Sequence, residues 1–362
     1  MVLDASQNGV MSNARRKYFE YLRNHNVPRY LFRAWSNSSG GGCSISINSK
    51  NEIIPPAFMR NQTHSLYSLS EYDISQMASA HYSGGFTPLS GFSSWAASLH
   101  LVLCYAEYMQ HGNHRGVHVA VIDTHHLDGD VLVWHVPHLL NNGGFHEYLA
   151  HGKIAGRGYK AVPFKAIRKA RLTALFPEIS RARQDSFGYS VRAEMFAQIG
   201  KAVEEKEIEA MGAIAALFGH LSAPVAVALA TLRPRPWSEE LGEPSNADLE
   251  ALFAALGDSS RLSECEKEAW LKSKDMVRTV SFPDVEQWIF LMRVMARYSK
   301  GRQPVLRPKL ERDMSVNSVS TDSRSTGGKR KSLLCGLFCG MRLGRSGPDK
   351  VRKGNDLETD GV

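Results

Sequence analysis

The feature that most constrains the fold is a change of residue pattern along the chain. Between residues 28 and 177, short alternating or β-branched runs are separated by turns of Gly, Asn, Ser and Pro, which is typical of strands. Residues 186–302 are instead rich in Ala, Glu, Leu and Lys and poor in strand formers. Because strands are followed by helices, the pattern predicts the α+β class, with an α+β domain at 28–177 and an all-α helical region at 186–302.

Two further segments flank these regions. Residues 1–27 contain one helix-like stretch and are predicted to form an N-terminal helical segment. Residues 303–362 are rich in Ser, Arg and Gly, which predicts a disordered tail. The formal net charge is +8, and residues 306–362 carry 12 Lys and Arg against 7 Asp and Glu. Positive charge is therefore concentrated in the tail.

The tail contains two cysteines beside a basic run. Cys335 and Cys339 lie in a short apolar stretch directly after the basic residues 329–331. Two acyl chains next to a basic patch suffice for stable anchoring, so these cysteines are candidates for lipidation and predict peripheral membrane contact. The alternatives are an unmodified disordered tail or a weak nuclear localisation patch.

Other features bear on the compartment and on the class of partner. Five cysteines without paired spacing and the lack of a signal-peptide pattern predict an intracellular, cytoplasmic protein. The most hydrophobic run, from Ile208 to Leu232, contains Glu209, His220 and Pro224. A bilayer span needs about 20 strongly apolar residues, so this run predicts a buried helical pair broken near Pro224. No nucleic acid is expected as a partner, because the basic residues lack interleaved aromatics.

Glu147 stands alone among its neighbours as an acid. No other acid lies between Asp130 and Glu178, and Glu147 follows a glycine turn at Gly143 and Gly144. The alternation around Glu147 predicts a strand that directs its side chain into a cleft or a core. Two interpretations remain open: a catalytic group, or a buried carboxylate that holds a turn.

Two histidines on either side of Glu147 raise the question of a metal. The helix motif of zinc proteases needs histidines four residues apart on one helical face. His146 and His151 are five apart and would diverge by about 140° on a helix. We therefore expect no metal site here.

Three polar residues upstream have two interpretations each. Arg33 follows Phe32 in a strand-like run, and it is either part of a binding site or a structural strand residue in a salt bridge or hydrogen bond. Ser93 and Ser94 stand before an apolar helical stretch. They are either binding residues or the N-cap of a helix that begins near Trp95.

The order of these residues resembles a known enzyme class. An arginine on a first strand, a Ser-Ser strand end before a helix, and a glutamate on a strand after a turn occur here as Arg33, Ser93-Ser94 and Glu147. Over about residues 28–170 this resembles the arginine-serine-glutamate class of mono-ADP-ribosyltransferases, as in cholera-type enterotoxin A subunits. The chain is also similar to a domain of unknown function common in fungal proteins. That similarity rests on Phe32-Arg33-x-Trp35-Ser36, Ser93-Ser94-Trp95-x-x-Ser98 and Glu147-Tyr148-Leu149-x-x-Gly152.

The resemblance implies a split β-sheet domain that takes NAD as its substrate. Arg33 would hold the phosphates of NAD, for which its planar fork is suited, and Ser93 and Ser94 would position the nucleotide. Glu147 would be catalytic, stabilising the ribosyl oxocarbenium that forms as the glycosidic bond breaks.

One residue departs from the pattern of the arginine-directed enzymes. Those enzymes carry a second Glu or Gln two residues before the catalytic glutamate, where this chain has Phe145. A phenyl ring cannot orient or deprotonate a guanidinium acceptor. The expected activity is therefore transfer to another acceptor or NAD hydrolysis. The alternative is a catalytically inactive interaction module, and the protein partner or acceptor is unknown in either case.

Overall fold

The computed structural model describes residues 3–60, 64–85, 87–140, 144, 147–182, 188–238, 241–256 and 282–299. Helices and antiparallel sheets are both present, which confirms the α+β class. The predicted tail, with Cys335 and Cys339, lies outside the described residues, as do Phe145 and His146.

Nine strands form two antiparallel sheets in the described part of the chain. The strands are β1 (Tyr30–Trp35), β2 (Ile47–Asn48), β3 (Glu52–Ile54), β4 (Phe92–Ala96), β5 (His118–Asp123), β6 (Leu132–His135), β7 (Glu147–His151), β8 (Ile154–Ala155) and β9 (Tyr159–Pro163). The large sheet has the order β6-β7-β4-β1-β5-β9, and the small sheet has the order β2-β3-β8. The strands β1, β4 and β7 are therefore neighbours although they are distant in sequence.

The large sheet is open in its middle. Strand β1 pairs with β5 over six residues, from Tyr30 to Trp35, and β4 pairs with β7 over five. Between β1 and β4, however, the described register consists of one pair, in which Phe32 lies opposite Ala96. The two halves of the sheet therefore diverge beyond that pair and leave an opening between β1 and β4.

Twelve α-helices are described. They are α1 (Asn13–Asn26), α2 (Pro56–Met59), α3 (Glu71–Ser83), α4 (Leu99–His111), α5 (Val136–Leu139), α6 (Phe164–Lys169), α7 (Leu172–Leu175), α8 (Tyr189–Phe196), α9 (Glu205–Ala216), α10 (Ser222–Ala230), α11 (Asn246–Leu256) and α12 (Pro283–Ser299). Helix α4 begins at Leu99 and is capped by Ser98, whose hydroxyl accepts the Leu101 N–H. The alternative in which Ser93 and Ser94 cap this helix is wrong, because the strand continues to Ala96.

The helical region packs directly on the sheet. Trp288 of α12 meets Phe32 of β1 edge to face, with ring centroids 5.9 Å apart. Beside this contact, the Ser98 hydroxyl donates to Asp284 of α12 at 2.6 Å. Residues of the sheet, α4 and the helices α9 to α12 share one buried apolar cluster. The change of composition at residues 177–186 therefore does not separate two hydrophobic cores.

The long apolar run of the helical region forms two buried helices. Helix α9 ends at Ala216 and α10 begins at Ser222, so the break lies before Pro224, which occupies the first turn of α10. Within the described part of the chain, no helix combines the length and the apolarity needed to cross a bilayer.

Candidate functional site

A cleft lies at the opening of the large sheet. Its polar lining is Arg33, Ser46, Asn48, His81, Ser90 and Ser93. The segment 53–56 and Phe92 provide apolar walls, and the empty space is about 480 Å³ with the open solvent at the mouth included. The large sheet, the small sheet and the last turn of α3 all contribute to it. The cleft is therefore a tertiary feature in which hydrogen-bonding groups converge on a partly apolar pocket, as in ligand sites.

Arg33 bridges the opening between the two halves of the sheet. Its Nη1 donates to the main-chain oxygen of Ser94 at 2.7 Å, and its Nη2 donates to Asn48 Oδ1 at 3.3 Å. The Nε is buried and makes no hydrogen bond. Among the described residues no carboxylate lies within ion-pair distance of this guanidinium, so the salt-bridge interpretation of Arg33 has no support in them.

Burial makes the charge on Arg33 costly. It lowers the pKa of Arg33 to about 10, which leaves the guanidinium protonated at neutral pH. A partly buried cation that has no carboxylate partner among the described residues favours a negatively charged ligand. Arg33 is therefore the side chain of this cleft that is suited to hold a phosphate or a carboxylate.

The two predicted serines have different surroundings. The Ser93 hydroxyl accepts the indole N–H of Trp95 at 3.0 Å and donates to the Ala150 carbonyl at 3.4 Å. The Ser94 hydroxyl instead lies 2.9 Å from Nε2 of His81. Both serines therefore lie on strand β4. Ser93 lines the cleft, whereas Ser94 does not.

Four polar residues of the cleft lining were not indicated by the sequence, namely Ser46, Asn48, His81 and Ser90. Of these, His81 links two others of the site. Its Nδ1 lies 2.8 Å from the hydroxyl of Ser90, so the imidazole connects Ser90 to Ser94. Burial, together with the positive charge of Arg33, lowers the pKa of His81 to about 3. The ring is therefore neutral at pH 7. The only signal in the sequence was its position before the Gly84-Gly85 turn, which does not reveal its partners.

Glu147 begins strand β7 and is 1% exposed. Its Oε1 is buried and has no hydrogen-bond partner among the residues that the structure describes, and burial raises the pKa of Glu147 well above its ordinary value. The preceding Gly144 has φ +75°, and a Cβ there would lie 2.7 Å from a methyl group of Val136. The predicted glycine turn is therefore needed for the close approach of this segment to α5.

The strand register places Glu147 and Arg33 on opposite faces of the sheet. Phe32 lies opposite Ala96, and Ala96 lies opposite Glu147. Cross-strand partners share a face, and successive residues of a strand alternate between faces. Arg33, which follows Phe32, therefore projects from the other face. The three predicted elements lie on adjacent strands, but the side chains of Arg33 and Glu147 are not brought together.

Metal binding has no described site. Among the residues that the structure describes, no three His, Cys, Asp or Glu side chains form a group that could hold a metal ion.

Comparison with known proteins gives a match to one family model and to no individual protein. No curated protein and no solved structure matches the chain. The ADP-ribosyltransferase and fungal resemblances therefore stay predictions. Residues 26–162, which contain β1, β4, β7 and every polar residue that lines the cleft, match the family model described as a domain of unknown function (DUF7587).

Proposed function

We propose that the cleft binds the diphosphate of a dinucleotide, with NAD as the ligand to test first. The observation that carries this proposal is the partly buried guanidinium of Arg33, which lines the cleft and has no carboxylate partner in the described structure. A phosphate that accepted hydrogen bonds from the remaining N–H groups of the two terminal nitrogens would neutralise this charge. NAD is chosen because of the resemblance to ADP-ribosyltransferases.

Neutral groups around Arg33 support the same ligand. Ser46, Asn48 and Ser93 line the cleft and make it polar. To bond to ribose or phosphate oxygens, their hydroxyl and amide groups would exchange hydrogen bonds that they now make to main-chain oxygens. The segment 53–56 offers an apolar wall to an aromatic base. This arrangement of one cation, several neutral polar groups and an apolar wall is suited to an anionic nucleotide.

Binding without cleavage is the form of the proposal that the position of Glu147 favours. The transferase or NAD glycohydrolase reaction implied by the resemblance needs an ionised carboxylate next to the nicotinamide ribose. Glu147 projects from the face opposite Arg33, and burial favours its neutral form. The second candidate function is therefore an enzyme in which another conformation brings Glu147 to the ligand.

Titration calorimetry of the full chain with NAD and with ADP-ribose tests the binding proposal. Arg33→Gln is expected to weaken binding by about 10- to 100-fold, because a charge-assisted hydrogen bond contributes about 1.5–3 kcal/mol. Arg33→Lys keeps the charge without the fork and should give an intermediate loss. Arg181→Gln is the matched control, since Arg181 pairs with Glu194 on the surface, and should bind like the wild type.

Two results would contradict parts of this proposal. Equal affinity of the wild type and Arg33→Gln, with both folded by circular dichroism, would remove Arg33 from the site. Release of nicotinamide from NAD by the wild type, lost in Glu147→Ala, would replace binding without cleavage by the enzyme candidate.

A further inference from the structure

Three side chains at the cleft are linked by hydrogen bonds and have no role in the proposed function. The hydroxyl of Ser90 lies 2.8 Å from Nδ1 of His81, and the hydroxyl of Ser94 lies 2.9 Å from Nε2 of the same ring. Ser90 and His81 both line the cleft that Arg33 enters. We propose that Ser90 is a nucleophile and His81 its general base, acting on esters that carry an anionic group.

The hydrogen bonds around Ser90 allow its proton to point at the imidazole of His81. The Ser90 oxygen accepts the main-chain N–H of Phe92 at 3.0 Å. Its own proton is therefore free to point at Nδ1 of His81. The other ring nitrogen then carries the hydrogen and donates to Ser94, so Ser94 holds the imidazole in the tautomer that can accept a proton from Ser90. A hydroxyl bonded to an oriented imidazole is the arrangement that activates a serine.

The positive charge of Arg33 indicates which class of ester Ser90 and His81 would act on. An ester that bears a carboxylate or a phosphate would place that anion on the guanidinium, within the same cleft as Ser90. Burial is the main reason that His81 stays neutral, and the positive charge of Arg33 adds to it, so both oppose proton transfer to the ring. An anion bound to Arg33 would cancel that charge and make His81 a stronger base. Neutral esters lack this effect and should react more slowly.

The reaction is an acyl transfer to serine followed by hydrolysis. The Ser90 oxygen forms a bond to the acyl carbon as the bond from that carbon to the leaving oxygen breaks. The Ser90 proton passes to Nδ1 of His81 and from there to the leaving oxygen. Water then attacks the acyl-serine with His81 as base again, which releases the acid and restores the Ser90 hydroxyl.

A fluorophosphonate probe and two chromogenic esters test the inference on the full chain. Mass spectrometry should locate the phosphonate adduct on Ser90, and the adduct should be absent from Ser90→Ala. The wild type should hydrolyse the mono-p-nitrophenyl ester of terephthalate, whose carboxylate cannot reach its own ester carbon, faster than p-nitrophenyl benzoate. His81→Gln should lose about 100-fold or more in kcat/KM, as expected for removal of a general base.

Control variants separate chemistry from folding. Ser83→Ala removes an exposed hydroxyl near the end of α3 that bonds to main-chain oxygens, and it should keep the wild-type rates. Ser94→Thr keeps a hydroxyl for His81 and should retain activity that Ser94→Ala loses.

Three outcomes would contradict parts of this inference. An adduct elsewhere than Ser90, or hydrolysis that persists in Ser90→Ala, would overturn the nucleophile. Equal rates for the two esters would overturn the role of Arg33. Neither the probe nor the esters contain a nucleotide, so failure of NAD binding and failure of this inference are distinguishable.

Discussion

Trp288→Ala is expected to lower the free energy of unfolding by about 3–5 kcal/mol, the usual cost of truncating a buried aromatic side chain. Trp288 is 2% exposed and contacts Phe32 across the boundary between the helical region and the sheet. The loss should appear as a lower midpoint in urea denaturation. Because one apolar cluster contains both regions, circular dichroism and tyrosine fluorescence should report a single transition in the wild type.

The matched control for this experiment is Ile199→Ala. Ile199 is 87% exposed, so its truncation should change stability by less than about 0.5 kcal/mol. A loss below about 1 kcal/mol for Trp288→Ala, or two separate transitions in the wild type, would contradict the shared core.

Glu147→Gln is expected to stabilise the protein increasingly as the pH rises above 4.5. The folded protein raises the pKa of Glu147 above its ordinary value of 4.5. Below that value both the folded and the unfolded chain hold the proton, so Glu147 does not lower the free energy of unfolding. As the pH rises, the unfolded chain loses the proton while the folded chain keeps it, so stability falls by up to about 1.4 kcal/mol per pH unit until the folded pKa is passed.

The glutamine variant removes that slope because it carries no ionisable proton. Urea denaturation at a series of pH values should show the two proteins converging near pH 4 and diverging towards pH 7. A parallel pH dependence would show that Glu147 is ionised and solvated in the folded protein. That result would strengthen the case for a catalytic carboxylate.

Glu71→Gln provides a control of opposite sign. Glu71 is also buried, but it accepts two hydrogen bonds from Arg15 and one from the Asp4 N–H. Burial raises the pKa of Glu71, but these partners outweigh it and lower the pKa overall. Its carboxylate therefore stabilises the fold above its ordinary pKa, and this stabilisation is lost as the pH falls through the folded pKa. Glu71→Gln should thus be destabilised at pH 7.

The class of the fold was predictable because its signals are local. A strand-like run around Phe32 and Arg33 marked β1, and composition marked the helices of residues 186–302. The strand at Glu147 was also predicted. The core shared by the sheet and the helical region was not, because it depends on contacts such as Phe32 with Trp288, which are distant in sequence.

The site was predictable only in part, because the sequence does not show which face of the sheet each side chain occupies. Alternation along β7 says that Glu147 faces one side of a sheet, but it does not say which side Arg33 faces. That relation depends on the register of β4 with both neighbours, and a shift of one residue would reverse it. His81 was missed because its links to Ser90 and Ser94 form when the end of α3 packs beside β4. Phe145, the predicted departure from the arginine-directed enzymes, lies outside the described residues.

The opening between β1 and β4 has a consequence for how tightly any ligand can be held. Beyond the pair formed by Phe32 and Ala96, the described link between the two strands includes the bond from Arg33 to the Ser94 carbonyl. A ligand that drew both terminal nitrogens of Arg33 towards itself would compete with the protein for those donors and would loosen the two half-sheets. A ligand that used only the second N–H of each terminal nitrogen would leave the link intact. Affinity in this cleft and cohesion of the sheet are therefore set by the same guanidinium group.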